Sequence, residues 1–162
     1  MAAALLAACV VFHGLNALID ARRSTVPAVR TGALSPWPSV IATALFAVVF
    51  LATVPAARSV EAIPALLGIG LSVVASRWLI YPAALNALRG LPPSYVTEVR
   101  VAHGAPSEKL LIDFGLVHRD YVPFEGERRT RHVYLLKTSG WLFKLALLAA
   151  GLAGVAWSSQ LM

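Results

Sequence analysis

The sequence has little charge and almost no cysteine. Only 14% of its 162 residues are charged, and Cys9 is the single cysteine. An ordinary soluble domain carries about 25% charged residues. So few charges do not cover a soluble surface, and a disordered chain would be richer in them. One cysteine forms no intrachain disulfide, which excludes a disulfide-built scaffold. Acidic residues are scarce as well, eight against fourteen Lys and Arg, which leaves a net charge of +6. No HExxH, CxxC or paired-carboxylate motif is present. Gly68-Ile69-Gly70 lies within an apolar run, with no strand before it to make a nucleotide loop. Asp113, Asp120, Glu125 and Glu127 match no standard cation-site spacing.

What is abundant is apolar sequence, at 58% of residues and a mean hydropathy of +0.71. A spanning helix needs about 20 mainly apolar residues. Four segments meet that length, 1–19, 37–57, 63–86 and 141–161. Backbone in hydrocarbon must satisfy its own hydrogen bonds, so helices are expected. The expected fold class is an all-α integral membrane protein of four transmembrane helices. A small mixed cytoplasmic segment, 90–138, joins the last two. Leu6-Ala7-Ala8-Cys9 looks like a lipoprotein cleavage box. The stretch before it has no Lys or Arg and the run stays apolar to Ile19, so the segment is read as a retained helix.

Loop charges set orientation. Eleven of the fourteen Lys and Arg fall in the first and third loops, which the positive-inside rule assigns to the cytoplasm. Both termini are then outside, in the inner membrane of a bacterium. Arg22, Arg23, Lys109, Arg128, Arg129 and Arg131 are candidate contacts to lipid headgroups or a partner. The surplus charge needs no nucleic acid to explain it. In the third loop, Tyr95 to Val101 alternates as a half-buried strand does. Ser107 is a candidate N-cap for a short amphipathic helix carrying Leu110, Leu111, Phe114 and Val117. His132 to Lys137 reads as the start of a helix running into the last span.

Ionisable groups at membrane depth are costly and mark candidate sites. His13, Asn16 and Asp20 share one face of the first helix, and Arg77 and Tyr81 lie one turn apart in the third. Counted from their outer ends, His13 meets Arg77, Asn16 meets Tyr81 and Asp20 lies near Arg89. A lone histidine also suits a single axial ligand to haem or a chlorophyll, with Cys9 and Gly14 leaving room for a flat ring. Small residues recur every four positions at Gly68, Ser72 and Ser76, and at Ala146, Ala150, Gly154 and Ser158. Such stripes let helices approach closely. Pro82 should kink the third helix near Trp78.

His13 to Asp20, Asn86-Ala87-Leu88-Arg89-Gly90-Leu91-Pro92 and Tyr95-Val96 together resemble small uncharacterised multi-pass membrane proteins of bacteria and their phages. Those end the third helix in a similar N-x-x-R-G turn. The resemblance implies a four-helix topology and no function. The leading expectation is a non-catalytic subunit of a larger membrane assembly, with other membrane subunits or a second copy as partners. The alternatives are a small oligomeric transporter or channel, and a lipid-modifying enzyme using Asp20, Arg89 or the loop histidines.

Overall fold

A computed structural model describes residues 2–24, 37–52, 63–101, 106–124 and 130–161. The long helices are α1 (Ala2–Ser24), α2 (Trp37–Ala52), α3 (Ile63–Leu88) and α5 (Thr138–Leu161). Between α3 and α5 lie β1 (Tyr95–Glu98), a 3-10 turn (Val99–Val101), α4 (Pro106–Asp113), β2 (Val117–Pro123) and β3 (Thr130–Leu136). Among the described residues, three helices are long and apolar enough to cross a membrane, over Ala2–Arg22, Ile63–Leu88 and Thr138–Ser158. The expected second span, 37–57, runs past the described end of α2, so residues 53–57 lie outside the described residues.

Helix α3 is the hub. It packs on α1, on α2 and most extensively on α5. Leu5, Cys9, Ile69, Val73 and Val155 form one core, which pairs the early part of α1 with the early part of α3 and the late part of α5. Helices α1 and α3 therefore run parallel, and α5 antiparallel to both. Helix α2 also runs against α1 and α3: Thr43 bonds Arg77, whereas Phe46 and Ala47 reach the core around Ile69. The outward faces remain strongly apolar, with Val11, Leu67, Val74, Leu142 and Trp157 all more than 60% exposed.

The chain is not all-α. Its polar segment folds as a three-stranded antiparallel sheet in the order β1-β3-β2. Residues read as the start of the last helix are instead the central strand, β3. Val133 and Leu135 pack on one side with Val122, while Tyr134 and Leu136 pack on the other with Leu111 and Val117. A strand buried on both faces shows no alternation in its sequence, and so resembles a buried helix segment. The second core also takes in Trp78 and Trp141, which seats the sheet on the ends of α3 and α5.

Two helices end in the same glycine motif. In α3, Leu91 N–H donates to Asn86 O at 2.9 Å and Gly90 N–H to Ala87 O at 3.2 Å, with Gly90 at φ 70°. In α4, Leu116 N–H donates to Leu111 O and Gly115 N–H to Ile112 O, with Gly115 at φ 64°. These are Schellman closures, which need the left-handed backbone that glycine adopts freely. Asn86 adds a clamp, its Nδ2 donating to Tyr95 O at 2.7 Å and to Pro93 O at 3.4 Å. The N-x-x-R-G turn thus places β1 directly under α3. Helix α4 opens on Pro106, so Ser107 lies inside it and is no cap. Val117 belongs to β2 because Gly115 has already ended the helix. The expected strand to Val101 stops at Glu98.

Candidate functional site

The polar residues at membrane depth gather where α1, α2 and α3 meet. Tyr81 donates its hydroxyl to Asp20 Oδ2 at 2.6 Å, tying α3 to α1. Arg77 Nη1 donates to Thr43 Oγ1 at 3.2 Å, tying α3 to α2. The guanidinium lies over the Tyr81 ring, 4.6 Å from its centre. The bond joins Tyr81 to Asp20 rather than to Asn16. Both helices rise equally, about 1.5 Å per residue. The offset that sets His13 beside Arg77 therefore sets Asp20 within a turn of Tyr81, short of Arg89. Arg89 is exposed just beyond α3, within electrostatic reach of Tyr95.

His13 is fully buried, edge-on to Phe12 and Phe46. Arg77 acts on it electrostatically and the Val73 carbonyl lies close by. Neither ring nitrogen makes a hydrogen bond of good geometry. Asn16 Nδ2 is likewise unpartnered. The aromatic rings of α1 and α2 and the flank of α3 occupy the space around His13. Cys9 is buried in the core with Leu5, Ile69, Val73 and Val155, and a Cβ added at Gly14 would meet open space.

The small-residue stripes divide. Gly68, Ser72 and Ser76 are all buried. A Cβ added at Gly68 would sit 2.8 Å from Gly151 O, and one at Gly151 would sit 2.7 Å from Ser72 N. On α5, Gly154 and Ser158 lie at this interface, with Ser158 2% exposed and bonded to Gly154 O. Ala146 and Ala150 are exposed and do not take part. A helix turns about 100° per residue, so a strict four-residue stride drifts roughly 40° at each step. The face actually buried is Lys144, Leu148, Gly151, Val155 and Ser158.

Lys144 is the functional candidate that pattern reading passed over. It is 4% exposed. Its Nζ donates to Trp78 O at 2.9 Å. Pro82 has no N–H, so that carbonyl lacks its usual helical donor. The ammonium supplies the missing bond and also lies 5.3 Å from the Trp78 ring centre and 5.8 Å from that of Trp141. A proline four residues after a lysine-facing carbonyl is the signal that would have pointed to it.

The basic candidates among the described residues do not converge. Arg131 bonds Glu98 at 2.5 Å across the sheet and covers Phe124. Lys109 pairs with Asp113 at 2.9 Å on the exposed side of α4. Arg22 is exposed near the end of α1, while the Arg23 side chain and all of Arg128 and Arg129 lie outside the described residues. His118 faces Asp120, and the His132 ring lies tilted against Tyr121, both on the exposed sheet. No group of three metal-ligating side chains occurs among the described residues.

A cavity of about 70 Å³ opens where α3, α5, β1 and α4 meet, lined by Trp78, Pro82, Tyr95, Glu108, Leu111 and Lys144. Among the described residues, neither Asp20 nor Arg89 nor a histidine lines it. Burial first, then Glu98 and Glu108, push the Tyr95 hydroxyl up to about 12. No known family model, curated protein or solved structure matches the chain.

Proposed function

We propose that the protein is a non-catalytic subunit that binds and stabilises a larger membrane assembly. It crosses a bacterial inner membrane four times, with both termini outside and the sheet in the cytoplasm. The parallel course of α1 and α3 supports the second crossing, because the chain between them must return across the bilayer and α2 runs the required way. The sheet packs on Trp78 of α3, and Asp20, near the end of α1 that carries exposed Arg22, bonds Tyr81 one turn on, in keeping with the positive-inside rule.

One observation carries the subunit reading. The polar groups of three helices are directed at one another, Tyr81 to Asp20 and Arg77 to Thr43, and so act as helix glue. The outward side of α5 is left to a partner or to lipid, with Ala146, Ala149, Ala150 and Ala153 exposed together. Gentle solubilisation should yield the protein in fixed ratio with other membrane proteins. Ala150→Leu should reduce that yield while the bundle keeps its thermal stability. Recovery as a stable monomer in native extracts would contradict the proposal.

The unpartnered nitrogens of buried His13 favour a second reading, a small oligomeric transporter or channel. It requires that replacing Asp20 and Arg77 abolish flux in proteoliposomes.

A further inference from the structure

Lys144 has a second use beyond repairing the Pro82 gap. An ammonium carries three N–H donors. Among the described residues one is spent, on Trp78 O. No carboxylate pairs with Lys144 among the described residues, although burying a cation is costly without such a partner. Lys144 lines the cavity between the bundle and the sheet, and Glu108 of α4 lines it as well. Trp78 and Tyr95 add aromatic and hydroxyl groups to the walls. The site therefore has a buried positive pole on a long apolar helix and a negative pole on the sheet module.

A simple anion would suit Lys144 and be repelled by Glu108. A simple cation would meet the reverse. A zwitterion that carries a phosphate at one end and a protonated amine at the other satisfies both. Given the membrane placement proposed above, such a group is at hand in a phospholipid headgroup. We propose that this cavity binds a phosphoethanolamine group, supplied as the headgroup of a phospholipid. Lys144 donates to the phosphate oxygens and Glu108 accepts from the ammonium. Charge-assisted bonds of this kind are the stronger class of hydrogen bond.

Trp78 and Trp141 flank the ammonium, so their emission reports occupancy. The full chain in detergent is titrated with short-chain phosphatidylethanolamine, phosphatidylglycerol and phosphatidylcholine, and with soluble phosphoethanolamine. Phosphatidylethanolamine should bind about tenfold more tightly than the other two lipids, the worth of one charge-assisted bond. Glu108→Gln should erase that preference; the change keeps the size of this half-buried side chain in the first turn of α4, and thermal unfolding checks that the variant stays folded. Lys144→Met should abolish binding of every lipid; should that variant unfold, Glu108→Gln still decides. Equal affinity for the three lipids, or a preference unchanged in Glu108→Gln, overturns the proposal. Binding of soluble phosphoethanolamine without any lipid overturns the lipid source. A chain that stays monodisperse without detergent would instead contradict the membrane reading, which separates the two failures.

Discussion

Helix α3 is held in two different ways on its two sides. Toward α1 and α2 it presents long polar side chains, Arg77 and Tyr81, which reach across to Thr43 and Asp20. Toward α5 it presents Gly68 and Ser72, and the backbones nearly touch. In lipid the hydrophobic effect gives no reason for helices to associate, so polar bonds and close packing must do it. The polar side tolerates distance, because side chains bridge it. The packed side does not, because backbone meets backbone. The two interfaces should therefore fail differently when changed.

The largest effect is expected on the packed side. Gly151→Val places a branched side chain against the backbone of Ser72, and neither can yield. Overpacking costs about 1–3 kcal/mol even where side chains can move, and the loss here should exceed that. Ala150→Val, one residue away but exposed, should stay within about 0.5 kcal/mol of the parent. Unfolding of both variants in mixed micelles checks the contrast. Equal losses would place the α3–α5 contact on the wrong face of α5.

The polar side should show a smaller, coupled loss. A double-mutant cycle of Asp20→Ala and Tyr81→Phe should return an interaction energy of about 0.6–1.7 kcal/mol, the range for bonds between membrane helices. A value near zero would mean that the 2.6 Å contact does not hold the helices together. Smaller still is Ser72→Ala. The Ser72 hydroxyl lies on the packed side and has no hydrogen-bond partner. Its removal should change stability by less than about 0.5 kcal/mol. A large loss would show that the packed side relies on polar bonding after all.

Tyr95, beneath the end of α3, lies off both interfaces, and its hydroxyl proton should bear on stability only in alkali. Its folded value of about 12 exceeds the ordinary 10, so the folded state keeps a proton that the unfolded state releases. Stability is unaffected below the unfolded value and falls as pH rises from there toward 12. Tyr95→Phe should flatten that fall, read by tyrosinate absorbance alongside unfolding.

Much of the bundle was legible in the chain. Long apolar runs marked the helices, and the spacing of His13, Asn16 and Asp20 marked the face of α1 that meets α3. Thr43 escaped notice, since one hydroxyl in an apolar run has no pattern; only its depth opposite Arg77 distinguishes it. The sheet was hidden for a different reason. Val133 to Leu136 is covered on both faces by residues distant in the chain, so no local period betrays a strand. The α5 stripe misled because a stride of four is not the helical repeat. Lys144 could be recognised only by linking a missing N–H at Pro82 to a charge on another helix.

The central claim is that α2 returns the chain across the bilayer between two parallel helices. It is tested most directly with single cysteines at positions 30 and 58, placed in a Cys9→Ala background and probed in intact cells with a membrane-impermeant thiol reagent. The account predicts that Arg58→Cys reacts from outside, while Arg30→Cys reacts only after the membrane is opened. Reaction of both from the same side would contradict it.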